Sequence, residues 1–70
     1  MRVRRDRIDK GGNVTIRHGS RHHIGVGHAH KGKRVILLVD GLDVRVVSQD
    51  RDLLRHLTLD PSRDYQPQES

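Results

Sequence analysis

Apolar and polar residues alternate along most of this chain, in short segments that are separated by turn signals. Clusters of Gly, Asn, Asp and Pro recur at KGGN (10–13), HGS (18–20), GHAHKGK (27–33), DG (40–41), QDRD (49–52) and DPS (60–62). Turns about 8 to 12 residues apart are typical of all-β sandwiches and barrels. No segment has helical periodicity over a useful length, so the pattern predicts an all-β domain of short strands.

Two of these segments predict strands with one buried face, because their apolar residues are two positions apart. Val14 and Ile16 share one face of NVTIR, and Ile24 and Val26 share one face of RHHIGV. The same parity turns His22 inward, as a core or rim histidine. The polar residues between them are expected to face outward: Asn13, Thr15, Arg17, Arg21 and His23.

The run RVILLVD is apolar on both faces, which is typical of a central strand. It leads through Asp40-Gly41, a favoured type I′ hairpin turn, into LDVRVV. In that next strand Leu42, Val44 and Val46 are predicted to face inward. LLRHLTL supplies the last strand.

The first segment, RVRRDRID, breaks the alternation, because Val3 and Ile8 have opposite parity. No straight strand can bury both. A β-bulge near Arg5 and Asp6 would return both apolar residues to the core. It would also leave three cations outward on one exposed ribbon: Arg2, Arg4 and Arg7. The alternative is an edge strand that its charges protect from aggregation.

Length and composition narrow the class of protein. Seventy residues form one small domain, whose core must consist of Val, Ile and Leu because Phe and Trp are absent. There is no cysteine for a disulfide or a thiolate ligand. The longest apolar run, VILLV, is far too short to span a membrane. We therefore expect a soluble, cytoplasmic protein with a domain at 1–60 and a polar tail at 61–70 that lies on the domain or frays.

The charge is unevenly distributed along the chain. Residues 1–34 carry ten Lys and Arg against two Asp, a net charge of +8, whereas residues 35–70 carry a net charge of −3. A basic half this dense predicts a polyanionic partner, most commonly nucleic acid. The alternative is a solvated surface that keeps a small domain soluble. The near absence of aromatic residues argues against single-stranded nucleic acid, whose bases stack on aromatic rings.

The stretch HHIGVGHAH raises the question of a metal site. His22 and His23 are adjacent, so on a strand they point to opposite faces and do not share an ion. His28 and His30 supply two plausible ligands and His18 a third, but there is no obvious fourth for a structural zinc. We therefore expect no specific metal. Instead, the outward histidines would extend a basic surface by hydrogen bonding to phosphate.

The strings VTIRHG, HHIGVGHAHKGKRVILLVDGLDVRVV and LLRHLTLDPSRDYQP resemble the C-terminal domain of bacterial, especially actinobacterial, insertion-sequence transposases with a retroviral-integrase-type catalytic core. The resemblance runs from Val3 to Pro67. It implies an SH3-like barrel of five or six short antiparallel strands that follows the catalytic core, contacts DNA and helps to assemble the transposition complex. This chain has His28 where the family has a basic residue after GVG, and Arg21 where an apolar residue usually precedes HHIG.

The resemblance also implies that the domain is not an enzyme, because the catalytic acids of such transposases lie in the preceding domain. The aspartates of this chain fall mostly at turns, where Asp is expected for local hydrogen bonding to the backbone. We expect no catalytic residues, no cofactor and no small-molecule substrate.

The sequence therefore predicts a domain that binds the phosphates of duplex DNA, without a membrane contact. The expected contact residues are Arg2, Arg4, Arg7, Lys10, Arg17, Arg21, His23, His28, His30, Lys31, Lys33 and Arg34. One alternative is a contact with other transposase subunits or a second copy, through Val47 or one face of VILLV. Another is a small RNA-binding barrel.

Overall fold

The computed structural model describes residues 1–67, which fold into seven strands and one short 3₁₀ turn. None of its helical structure is long and apolar enough to cross a membrane within this range. The elements in chain order are β1 (Arg2–Arg7), β2 (Asn13–His18), β3 (Ser20–Gly25), the 3₁₀ turn His28–His30, β4 (Arg34–Asp40), β5 (Asp43–Ser48), β6 (Leu53–Thr58) and β7 (Tyr65–Gln66).

The strands form two sheets. The larger sheet has the order β1-β4-β5-β6 and is antiparallel throughout, whereas the smaller has the order β2-β3-β7, with β7 parallel to β3. The all-β prediction is confirmed. The strands number seven, and across residues 1–67 their ladders do not close into a barrel.

A single aliphatic core lies between the inner faces of the two sheets. Both sheets contribute, because their apolar residues alternate along the strands as the sequence predicts. The partly buried Leu42 packs against this core. The fully buried members are Ile8, Val14, Ile16, Ile24, Val26, Val35, Leu37, Val44, Val46 and Leu59.

Strand β4 is central, as predicted, since it pairs with both β1 and β5. The hairpin that follows it differs from the prediction in turn type. Asp40 pairs with Asp43, so the two central residues are Gly41 and Leu42, and only Gly41 has a positive φ, of 59°. A type I′ turn needs positive φ at both central positions, which a branched Leu disfavours. The predicted type I′ geometry is therefore wrong.

The predicted bulge in β1 is also wrong. Strand β1 pairs with β4 without interruption from Arg2 to Arg7. In a straight strand only every second residue faces the core. Ile8 is at such a position and is fully buried, whereas Val3 is on the other face and is 64% exposed. Arg4 therefore shares the inner face with Leu37, opposite to Arg7, so Arg2, Arg4 and Arg7 do not share one outward ribbon.

Polar side chains attach the segment from Leu59 to Pro67 to the two sheets. The guanidinium of Arg55 in β6 donates to the carbonyl of Gly25 and, at 3.4 Å, to that of Gln66. The buried Gln66 amide donates to the carbonyls of Asp60 and Arg63 at 2.8 and 2.9 Å. These contacts order the segment from Leu59 to Pro67, so the described part of the predicted tail lies on the sheet. Residues 68–70 are outside the described range.

Two local contacts complete this segment. The ring of His22, buried as predicted, lies between two carbonyls, with Nδ1 2.7 Å from the oxygen of Arg63 and Nε2 3.1 Å from that of His18. The hydroxyl and the backbone N–H of Ser62 donate to Asp60 Oδ1 at 2.6 and 3.0 Å. Both bonds favour the ionised carboxylate and hold the pKa of Asp60 below its usual value.

The straight geometry of β1 predicts unequal effects of substituting its two apolar residues. Ile8→Val deletes one buried methyl group and is expected to lower the free energy of unfolding by about 0.5–1.5 kcal/mol. Val3→Thr keeps the β-branched shape on an exposed face and is expected to change it by less than about 0.5 kcal/mol. Urea unfolding measures both values, and equal losses would instead favour a bulged strand with both residues buried.

Candidate nucleic-acid interface

The hairpin of β2 and β3 places two arginines side by side on the outer face of the smaller sheet. Arg17 pairs directly with Arg21 across the hairpin, and both side chains are exposed. Within residues 1–67, neither has an acidic group within 4.0 Å. Like charges directly opposite each other destabilise a sheet. The fold therefore carries an uncompensated pair of cations whose mutual repulsion opposes its stability.

This arginine pair forms one wall of an open groove between β1 and β2. Both strands are sheet edges, and the groove lies where the two edges face each other. Its lining residues, here called the arginine groove, are Arg4, Asp6, Arg7, Asp9, Thr15, Ile16, Arg17 and Arg21.

The two acids of the groove are engaged in local contacts. Asp6 lies 3.8 Å from Arg4 and accepts a hydrogen bond of 2.7 Å from the backbone N–H of Arg7. Asp9 accepts bonds of 2.9 Å from the backbone N–H groups of Gly11 and Asn13, as turn aspartates do. Four arginines against two carboxylates leave the groove positively charged.

A second basic cluster lies at the end of the sheets where β1 ends and β4 begins. Five predicted contact residues are carried there by the turn after β1 and by the loop from β3 to β4; we call them the loop cluster: Lys10, His28, His30, Lys31 and Lys33. Backbone hydrogen bonds join the two loops. Ile8 donates to Lys33 at 2.9 Å and accepts from Gly32 at 2.7 Å.

Gly12 sets the distance between these two loops. Its carbonyl accepts hydrogen bonds from Val26 and Gly27 at 2.8 and 3.0 Å. Its φ is +80°, and a Cβ at this position would lie 2.7 Å from the backbone carbon of Gly27. Only glycine combines this conformation with such a close approach. The loop cluster therefore depends on a residue that itself carries no charge.

The other predicted residues belong to neither the arginine groove nor the loop cluster. Arg2 lines a separate cleft with Arg17, at the far end of the hairpin. His23 is partly buried on the outer face of the smaller sheet, where Nδ1 lies 3.3 Å from the hydroxyl of Thr15. Arg34 lies on the outer face of the larger sheet, where it pairs with Arg7 of the arginine groove and directly follows Lys33 of the loop cluster.

The histidines are distributed over several environments. His22 is buried, His18 lies in the β2–β3 hairpin, and the exposed ring of His28 lies in the 3₁₀ turn. His30 Nδ1 is 3.4 Å from the ammonium group of Lys33. Within the described residues, no three His, Cys, Asp or Glu side chains are close enough together to hold a metal ion.

Sequence reasoning missed two cations on the outer face of the larger sheet, Arg5 and Arg45. Arg5 lines a shallow cleft with Arg34 and Gln49, and Arg45 lies 3.6 Å from Asp43 in the middle of the same face. In an unbulged strand, Arg5 and Ile8 are an odd number of positions apart and face opposite ways, so the sequence could have predicted that Arg5 lies on the outer face. The predicted bulge concealed it.

The role of Gly12 is testable against a second glycine with a similar backbone. Gly19→Ala, at a φ of +74° and with nothing within 4 Å of the added Cβ, is expected to cost about 1–2 kcal/mol from left-handed strain. Gly12→Ala adds a steric clash and is expected to cost about 1–3 kcal/mol more. Thermal and urea unfolding give both values, and equal costs would mean that the loops separate without penalty.

The like-charge pair predicts that stability can rise on substitution. Arg21→Glu places a carboxylate opposite Arg17 and is expected to raise the free energy of unfolding by about 0.2–1 kcal/mol. Arg21→Gln, which removes only the repulsion, is expected to give a smaller gain. A decrease with Glu would indicate that Arg21 has a structural role, and urea unfolding at low ionic strength is the measurement.

The chain matches no family model, and no match was found among curated proteins or solved structures. Its likeness to transposase C-terminal domains is thus carried only by the quoted strings. Its distinguishing surface features are an uncompensated arginine pair, a basic groove and a basic loop cluster on a small all-β scaffold.

Proposed function

We propose that this chain is a noncatalytic DNA-binding domain of a transposase or integrase, which contacts the phosphates of duplex DNA through the arginine groove and the loop cluster. In the parent protein such a domain would also help to assemble the transposition complex. The observation that carries the proposal is the pair Arg17 and Arg21, held side by side with no acidic partner within the described residues.

A phosphate backbone resolves the repulsion between these two arginines. Each guanidinium presents a fork of N–H donors that matches two phosphate oxygens. Because the negative charges of DNA recur at short intervals along each strand, neighbouring arginines can engage successive phosphates. Repulsion that costs stability in the free domain then becomes a gain on binding.

The cations extend beyond the pair along one side of the molecule. Arg4 and Arg7 continue the basic surface from the hairpin along β1, and Lys10 follows in the next turn. The longest dimension of the molecule is 29 Å, about eight steps of a DNA strand at roughly 3.4 Å each. A short duplex is therefore long enough to cover the whole basic surface.

The side-chain chemistry favours duplex DNA and low sequence specificity. Phosphate contacts by Arg and Lys fix position but do not read bases. The chain has no Phe or Trp, and its one aromatic residue, Tyr65, lies on the last strand of the smaller sheet. Single-stranded nucleic acid binds through several stacking platforms, which this surface lacks among the described residues.

The experiment is a titration of a labelled short duplex at several salt concentrations. If about four to six phosphates are contacted, the logarithm of the affinity should fall with the logarithm of the salt concentration with a slope of roughly −4 to −5. Arg17→Gln and Arg21→Gln should each weaken binding to unrelated duplexes equally and reduce the slope by about 1. Fluorescence anisotropy measures both quantities.

Arg45→Gln is the matched control, because it removes one exposed arginine from the opposite face of the molecule. It should leave the slope unchanged. A salt-independent interaction, or an equal loss in the Arg45 and Arg17 variants, would exclude the arginine groove as the phosphate site. Tighter binding of a structured RNA of equal length and salt would instead support the RNA-binding alternative.

A further inference from the structure

The outer face of the larger sheet carries an apolar patch that the fold does not cover. Five aliphatic side chains from its four strands share this face: Val3, Ile36, Leu38, Val47 and Leu53. Val3 and Leu53 are 64% and 58% exposed, and the other three are partly buried. Neighbouring rungs hold them together, because Val3 pairs with Leu38 and Ile36 pairs with Val47. We call these residues the outer patch.

Strand β4 runs through the middle of the outer patch with a charge at each end. On this face its residues are, in order, Arg34, Ile36, Leu38 and Asp40. The two charged residues are exposed, and within residues 1–67 neither has an oppositely charged partner within 4.0 Å. When two such strands lie antiparallel, the cation of each strand is opposite the anion of the other, and the aliphatic residues are opposite each other.

We infer that the outer patch binds a second copy of this chain, with β4 of one copy lying antiparallel across β4 of the other. A two-fold axis perpendicular to the strands, between Ile36 and Leu38, then places Arg34 of each copy over Asp40 of its partner. Ile36 packs against Leu38 in both directions. The same patch on both subunits forms the contact, as in other two-fold interfaces.

The neighbouring strands fit this axis as well. It places Arg5 over Val3 on β1, and Arg45 over Val47 on β5, so each long arginine stem covers an aliphatic side chain of the other copy. A two-fold axis parallel to the strands would instead place Arg34 over Arg34 and Asp40 over Asp40. Charge complementarity therefore selects one axis out of two.

The size of the patch predicts a weak dimer. Four strands about 4.8 Å apart and about six residues long give a face roughly 20 Å wide and 20 Å long, so each copy contributes about 400 Å², which is less than the roughly 800 Å² per partner of a standard interface. Association should therefore depend on protein concentration and weaken with salt, because its ion pairs lie at the rim. The inference does not depend on DNA binding, since the outer patch and the arginine groove have no residue in common.

The test is sedimentation equilibrium of the full chain over a wide concentration range, with charge-reversed variants of the two ends of β4. Arg34→Asp and Asp40→Arg should each weaken dimerisation about tenfold, because each places two like-charge pairs at the interface. An equimolar mixture of the two variants should restore wild-type association. The wild-type net charge of +5 becomes +3 and +7 in these variants, so bulk attraction between them cannot explain a restoration.

Arg17→Asp is the matched control, because it makes the same change of charge on the other sheet and should leave dimerisation unchanged. Leu38→Thr tests the apolar centre without changing charge or the turn, and should weaken association. A wild-type chain that remains monomeric up to about 1 mM, or a mixture that fails to restore association, overturns the proposal. Association that is lost equally in the control would assign the contact to the smaller sheet instead.

Discussion

The absence of any large aromatic residue from the core constrains everything else in this molecule. Ten Val, Ile and Leu side chains between two small sheets must supply the apolar burial, and aliphatic residues of this size fill only a thin layer. The rim of that layer is therefore closed by polar groups that reach backbone carbonyls: the guanidinium of Arg55, the amide of Gln66 and the ring of His22. No buried side-chain nitrogen or oxygen within residues 1–67 lacks a partner. Because each of these buried polar groups has a hydrogen-bond partner, a small protein can bury them without a net loss of stability.

The open edge of the larger sheet, at β1, also results from the small number of apolar residues in the chain. The inward positions of β1 are occupied by Arg2, Arg4 and Asp6, which are opposite Val39, Leu37 and Val35. A charged head is too costly to bury without compensation, so these side chains extend past the edge of the sheet towards water. The two sheet edges stay apart at this point, and the space between them is the arginine groove. Arg4, one of these inward residues, is thus also one of the four arginines that make the groove positively charged.

Much of this architecture was predictable from the sequence because it depends on local periodicity. The period of two identified β2 to β6, the inward apolar residues and the buried position of His22, since parity alone decides each of them. The straight course of β1 was not predictable, because the choice between Val3 and Ile8 is made by pairing with β4, which is distant in sequence. The joining of the two loops at Gly12 likewise depends on the backbone of Gly27, of which the local sequence gives no sign. Sequence placed Arg34 among the contact residues by charge alone, and only strand pairing shows that it lies beside Arg7 on the outer face of the larger sheet.

The pairing of β1 with β4 has a kinetic consequence. Every other antiparallel pair in the two sheets joins strands that are consecutive in the chain, whereas residues 8–33 separate β1 from β4. Contacts that close a long stretch of chain form late, because the entropy of closure is lost before the contacts repay it. Hairpins β2–β3 and β4–β5–β6 can therefore assemble before β1 docks. Until it does, Arg4 and Arg7 are on a free strand and the groove has only one wall, so the arginine groove forms only when this long-range strand pair does.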